Sequence, residues 1–258
     1  MALVEADYSQ LELRIVALLA GAEKLIRMYN QGADVHQENA NALFQRERAS
    51  KAERRLAKTY AYAALYGASY VEIWKRLVID FPDLSLGLVE MMHNRFFSLH
   101  IELKQWQQRS IRLAYTNRYV ESPLDGRRQY YPNGEVDPNE VLNFPAQATG
   151  AFLIDDALVR IAKRIDWNKH QVLMQVHDAL VFQSSDWKRL APIVRNEMSK
   201  PVKLNGQSIS FPVDLQVSYT DWGHMCAEED MYARKPKKKG MTASKCSHCK
   251  HWHLEKAA

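Results

Sequence analysis

The chain has 258 residues, 47% of them hydrophobic, enough to bury the core of one large domain or two small ones and to exclude a disordered or fibrous protein. No apolar run reaches the roughly 18 residues of a membrane span and no basic-then-apolar leader opens the chain, so a cytoplasmic protein without membrane partners is expected. The net charge is +5, but from residue 224 onward eight Lys/Arg stand against four Asp/Glu, leaving 27 against 26 before it; a nucleic-acid surface in the body has to be a local patch.

Residues 3–14 read LVEADYSQLELR. Leu3 and Val4 are strand formers, and Asp7 arrives where so short an apolar run leaves a sheet. A carboxylate there serves as a metal ligand or as a plain helix cap. Leu11, Ile15, Leu18 and Leu19 then give one apolar face, predicting a helix over residues 10–29 that closes near Asn30-Gln31-Gly32. Asp34 fits the N-cap of a second helix running through Phe44 and carrying His36. In the helix expected over residues 49–67, Arg54, Lys58, Tyr62 and Tyr66 follow at spacings of four, each displaced about 40° around the axis. They form one slowly turning stripe. Two cations followed by two rings can hold a polyphosphate and offer a flat face to a base or sugar, or can be a solvated basic edge beside buried tyrosines.

Residues 70–118 look helical, broken around Phe81-Pro82-Asp83, with Phe96, Phe97, Leu103 and Trp106 as core. PLDGRRQYYP, residues 123–132, reads as a hairpin turning at Asp125-Gly126 and bringing Arg127 and Arg128 to a surface. A long helix is expected over residues 143–165, opening at Pro145, with Asn143 and Gln147 four apart. In VLMQVHDALVF, residues 172–182, two strand-like runs flank His177-Asp178 and leave room only for a tight hairpin, which sets a second aspartate at a sheet turn. Ser184-Ser185 caps a helix toward Lys200, and FPVDLQVSY, residues 211–219, reads as the final strand.

The tail differs in kind. RKPKKKG, residues 234–240, is a flexible basic linker by composition. The three cysteines, at 226, 246 and 249, all fall in the last 33 residues, which argues against a disulfide framework through the body. Cys246 and Cys249 in a CxxC, with His251 and His253 beyond, are a candidate zinc site, since thiolates and imidazoles are the ligands zinc prefers; the second pair is HxH and not the wider HxxxH.

The string Asp7-Tyr8-Ser9-Gln10-Leu11-Glu12-Leu13-Arg14 resembles the first palm motif of the DNA polymerase I family (family A), and further matches follow in order, so that the resemblance covers residues 3–223. DVHQENANALF is similar to the family's DIH-type segment and RRLAKTYAYAALYG to its fingers helix. Arg127 and Arg128 resemble its Gly-Arg-Arg element, Asn143 and Gln147 its minor-groove pair, and His177-Asp178 its His-Asp-Glu motif. One position departs: Ala179 stands where the family has glutamate, which puts full activity in doubt, although single-subunit RNA polymerases tolerate a small residue there.

The resemblance implies an α+β fold, a right-hand polymerase palm with an antiparallel sheet plus helical fingers, with thumb and exonuclease domains absent. Palm would occupy residues 1–30 and 121–223, fingers 31–120, and the linker and Cys/His tail 224–258. It implies template-directed addition of dNTPs to a primer 3′ end, with Asp7 and Asp178 holding two Mg²⁺ ions. Arg54, Lys58 and His36 would meet the triphosphate, Lys58 also as proton donor to pyrophosphate. Glu12 would exclude a ribose 2′-hydroxyl, Tyr62 would favour use of dideoxynucleotides, and Tyr66 would stack near the template base. Arg127, Arg128, Asn143, Gln147 and His177 would touch primed DNA.

Only six residues precede Asp7, so the opening strand is expected at a sheet edge or beside a gap, an aggregation hazard. A split or truncated polymerase follows as an expectation, the split form being of phage type and completed by a separate polypeptide carrying a thumb, with or without an exonuclease. Two rivals remain: a non-catalytic subunit that binds primed DNA, and a single-subunit RNA polymerase or reverse-transcribing relative. Glu12 speaks against the second.

Overall fold

The computed structural model of the chain describes residues 1–232, 241–245 and 252–256. It divides into two compact units, one of Met1–Ser9, Leu153–Lys200 and Phe211–Ala258, the other of Gln10–Phe152 and Pro201–Ser210.

The chain opens with strand β1 (Ala2–Tyr8) and helices α1 (Leu11–Ala20) and α2 (Glu23–Asn30). The single helix expected over residues 10–29 is therefore two. Gly21 takes a left-handed φ of 68° and its N–H turns back onto the last carbonyls of α1, a stop that apolar spacing does not reveal. Helix α3 (Val35–Phe44) starts as expected, with the Asp34 carboxylate accepting from the Gln37 N–H. Helix α4 (Lys51–Leu65) opens on a reciprocal capping box between Ser50 and Glu53, and α5 (Tyr70–Asp80) on a second, between Ser69 and Glu72.

Helices α6 (Leu86–Leu99) and α7 (Ile101–Asn117) follow, so the helical stretch breaks at His100 as well as at Phe81-Pro82. The second break has a tertiary cause: His100 is buried and its Nε2 lies 2.9 Å from the Asn39 Oδ1 of α3. Strands β2 (Tyr119–Glu121) and β3 (Arg128–Tyr130) form the expected hairpin, Gly126 supplying φ +72°. Helix α8 (Pro138–Ala162) begins before Asn143 and carries Pro145 inside it. Pro138 sits in the first turn, where a missing N–H costs nothing, and Asp137 accepts from the Asn139 N–H at 2.8 Å.

The remaining elements are β4 (His170–Val176), β5 (Ala179–Ser184), α9 (Trp187–Met198), β6 (Val202–Leu204), β7 (Gln207–Ile209), β8 (Val213–Ser218), β9 (Cys226–Ala227), α10 (Glu228–Tyr232), β10 (Met241–Lys245) and β11 (Trp252–Lys256). FPVDLQVSY thus contains β8, but it is not the final strand. Cys246, Cys249 and His251, the side chain of His253 and the basic run lie outside the described residues. No helix among the described residues is long and apolar enough to cross a membrane.

The first unit is built on an antiparallel sheet of order β4-β5-β1-β8-β9. This corrects the expectation for the opening strand. β1 is central, paired with β5 along residues 2–7 and with β8 along residues 3–8, because its Val4, Ala6 and Tyr8 need burial that an edge cannot provide. Helix α9 packs against β1, β5 and β8, and the Tyr8 hydroxyl donates to the Met198 carbonyl at 3.0 Å.

The second unit is helical. Helices α3 and α4, α5 and α6, and α1 and α7 pack in pairs. Tyr60 of α4 is fully buried between Phe96 and His93 of α6. From α7, Gln107 donates to the Ala64 and Leu65 carbonyls at 2.8 and 2.9 Å, so the open C-terminal end of α4 is satisfied from a neighbouring helix.

Candidate active site

The carboxylates belong to the first unit. Alternation along β1 buries Ala2, Val4, Ala6 and Tyr8 and turns Leu3, Glu5 and Asp7 to the other face, where each is half-buried. Asp178 sits in the two-residue turn between β4 and β5, entered by His177 in the left-handed region at φ 53°, and its carbonyl accepts from the Tyr8 N–H at 3.2 Å. The structure thus joins two residues 171 positions apart: Asp7 pairs with Ala179, the neighbour of Asp178, and the two carboxyl groups come close enough to feel each other's charge. Burial, then the charge of Asp178 and more weakly those of Glu5 and Asp214, push the Asp7 carboxyl up to about 6. Asp7 Oδ1 is buried without a hydrogen-bond partner.

Hard oxygen donors, negative charge in excess and an unsatisfied oxygen fit a divalent cation of the Mg²⁺ kind. Among the described residues no three His, Cys, Asp or Glu side chains gather as a metal-holding group; the centre is a pair. Ala179, at the position noted as lacking glutamate, is buried opposite Asp7.

The cationic and aromatic residues belong to the second unit, and most converge as the stripe on α4 predicts. His36 is 3% exposed, and neither ring nitrogen has a hydrogen-bond partner. Burial, then the charges of Lys58 and Arg54, push it down to about 4, so it is neutral at pH 7. Its ring centroid lies 6.0 Å from that of Tyr62. Arg54 forks onto Asp34 through Nε at 3.0 Å and Nη2 at 3.1 Å, leaving Nη1 outside these contacts. Burial raises the Asp34 carboxyl, but the Gln37 amide and Arg54 outweigh it and hold it below its usual range. Lys58 is exposed.

A cavity of about 650 Å³ opens beside this cluster, lined by Glu12, Tyr62, Tyr66, Arg76, Asn143 and Gln147 among others. Across it the Tyr66 hydroxyl donates to Glu12 Oε2 at 2.8 Å. Burial first, then the adjacent carboxylate, raise the Tyr66 phenol, so it stays a donor. Five of the residues singled out in the sequence therefore share one concave surface.

Others do not join it. Arg127 folds onto Asp125 of its own turn and donates to the Ala148 carbonyl at 3.2 Å. Arg128 pairs with Glu121 at 2.5 Å and lies 4.4 Å from the centroid of the Tyr119 ring. His177 is exposed at its hairpin tip. Sequence reasoning missed Arg76, Asp214 and Glu5. The alternation in FPVDLQVSY does turn Asp214 to one face, but only pairing with β1 shows what it faces.

The chain matches the family model described as DNA polymerase family A over residues 1–224. It is 32% identical over 231 residues to the thermostable DNA polymerase I of Thermus aquaticus, covering 85% of this chain and 27% of that protein. To a DNA polymerase I of Synechocystis sp. it is 29% identical, with 79% and 23% covered. A solved structure described as the POL domain of Pol1 from M. smegmatis in complex with DNA primer-template and dNTP superposes with a TM-score of 0.71 at 25% identity, over 84% of this chain and 39% of that one. The chain spans about a quarter of the length of the curated relatives it matches.

Proposed function

The chain belongs to DNA polymerase family A, and from that premise we propose that it carries the catalytic portion of a DNA-directed DNA polymerase, adding dNTPs to a primer 3′ end on a DNA template. The observation that carries this reading is the juxtaposition of Asp7 and Asp178, with an unsatisfied buried oxygen between a strand and a hairpin turn.

Asp7 and Asp178 act as ligands and not as general bases. Two Mg²⁺ ions held there would lower the pKa of the primer hydroxyl and offset charge on the triphosphate. In the other unit, Lys58 and the open Nη1 of Arg54 neutralise the β and γ phosphates, and Lys58 protonates the departing pyrophosphate. His36, neutral and without a partner on either nitrogen, donates one N–H to the same phosphates. Tyr62 meets the sugar, and its hydroxyl replaces the hydrogen bond of a missing 3′-hydroxyl, so dideoxynucleotides are accepted. Glu12, fixed by Tyr66, closes the space of a 2′-hydroxyl. Asn143 and Gln147 sense the minor groove, whose acceptors recur on every base pair; Arg127, Arg128 and His177 serve the DNA backbone.

Primer extension with Mg²⁺ and dNTPs, comparing the chain with Asp178→Ala, tests the reading. Extension lost in the variant supports it, and equal extension by both proteins sinks it. Extension by this chain alone removes the case for a separate polypeptide supplying the thumb, whereas extension only on adding such a polypeptide establishes the split arrangement. Binding of primed DNA without extension under either condition leaves the non-catalytic subunit as the answer.

A further inference from the structure

Helix α7 and the β2–β3 hairpin carry a surface that the polymerase reading leaves largely unused. Alternation along the hairpin buries Val120 and sets Tyr119, Glu121, Arg128 and Tyr130 on the opposite face. There Tyr119 stands across from Tyr130 with ring centroids 5.7 Å apart, Glu121 stands across from Arg128 and pairs with it, and the Arg128 guanidinium lies 4.4 Å from the Tyr119 ring centroid. Tyr130 is nevertheless 58% exposed. Beside this face opens a cavity of about 310 Å³, lined by Trp106, Arg109, Leu113, Asn117, Tyr119 and Glu121 among others, which among the described residues shares none of its lining with the cavity of Glu12 and Tyr66. We propose that this cavity and the tyrosine face together form a second nucleic-acid site, which takes an unpaired single strand by stacking its bases. The inference rests on the polymerase reading only for the source of that strand, an unpaired stretch of template.

Charge selects the occupant. Residues 109–131 hold five arginines and two acidic residues. Both acids are matched, Glu121 by Arg128 and Asp125 by Arg127. Arg109, Arg112 and Arg118 are surplus: Arg118 donates to the neutral Gly134 carbonyl at 3.2 Å, and Arg109 and Arg112 form no ion pair among the described residues. An anionic chain satisfies these cations, but only one with flat faces also uses the rings. A single strand offers both, whereas a duplex keeps its bases stacked on one another. Leu113 and Tyr115, 46% and 49% exposed, widen the apolar part of the surface. The platform is also rigid, because Val120 and Tyr131 are buried with Ala114 of α7 and Val141 of α8, which anchors the hairpin to two long helices. Rings held in place before binding lose little freedom when a base stacks on them.

The test is fluorescence anisotropy of a labelled oligothymidylate of about 12 nucleotides, within the span that single-strand sites cover, titrated with the full chain without dNTPs or Mg²⁺. Tyr130→Ala should weaken binding about 10-fold, the scale of losing one stacked base, and Tyr130→Phe should keep it. Arg109→Ala should weaken binding and flatten its salt dependence by about 0.7 in the log–log slope. Arg189→Ala, an exposed arginine of α9, should change neither. Irradiation of an iododeoxyuridine-substituted strand on the unmutated chain should crosslink Tyr119, Tyr130 or Trp106, a readout that a purely structural role for Tyr130 would not produce. No binding by the parent chain, crosslinks confined to other residues, or equal affinity for blunt duplex would each overturn the proposal. Primer extension by Asp178→Ala separates the two readings. If that variant loses extension while Tyr130→Ala binds the single strand normally, the second site is wrong and the polymerase reading stands. If it extends normally while Tyr130→Ala loses single-strand binding, the polymerase reading fails and the second site stands.

Discussion

The sheet-borne carboxylates and the helix-borne cations treat charge in opposite ways. On β1 and its neighbours, strand register brings Asp7, Asp178 and Asp214 into mutual influence, and Asp7 responds by holding its proton up to about pH 6. In the helical unit, Arg54 is forked onto Asp34, Glu12 accepts from Tyr66, and His36 stays neutral beneath two cations. Ladder hydrogen bonds fix which strand residues stand opposite each other whatever their charge, whereas long helical side chains can swing to a partner. One region thus gathers like charges side by side, and the other holds its charges on internal partners.

Breaking the anionic side should have the largest effect. Asp7→Asn is expected to lower primer extension by about 10²–10³-fold, the scale of losing a preorganised electrostatic contact. The metal-free variant should melt higher, since it relieves repulsion; a lower melting temperature would mean that Asp7 has a structural partner.

On the other side, Glu12→Ala should relax the preference for dNTP over NTP by about 10-fold or more, the range of a simple shape selection. Tyr66→Phe, which removes only the hydroxyl that fixes Glu12, should relax it less. Equal single-nucleotide selectivity in all three proteins would remove Glu12 from sugar choice.

Acid should distinguish the regions further. His36 and His100 are both pushed down to about 4, first by burial and then by facing cations, Lys58 and Arg54 for His36 and Lys24 for His100, with Asp34 opposing at His36. The unfolded chain takes up these protons near pH 6.5 and the folded chain does not, so their stability contribution is intact above that pH and is lost as pH falls toward 4. Hydrogen exchange should show α3 and the α6–α7 junction losing protection between pH 6.5 and 4. His100→Gln should blunt the loss at the junction, and unchanged protection down to pH 4 would contradict buried neutral imidazoles.

The smallest effect concerns the scaffold of the stripe. Ser50→Ala removes one half of the capping box of α4 and should cost about 1 kcal/mol in denaturant titration. A much larger loss would mean that the stripe depends on its N-terminus more than on Tyr60 and Gln107.

Residues close in sequence carried much of the fold and the stripe. The Asp34 cap, the turn at Asp125-Gly126, the His177-Asp178 hairpin and the i, i+4 order of Arg54, Lys58, Tyr62 and Tyr66 are local consequences of backbone geometry, so residue order alone determined them. The exceptions have equally local reasons in retrospect: Gly21 stops α1 and Pro138 starts α8. What only the tertiary structure decided are pairings across long stretches of chain. β1 is central and not an edge, Asp214 faces Asp7, Tyr66 holds Glu12 from 54 residues away, and His100 breaks a helix to reach Asn39. Each depends on which strand or helix becomes a neighbour. That choice follows from burying whole faces of elements, a sum over many residues that spacing within any one segment does not contain.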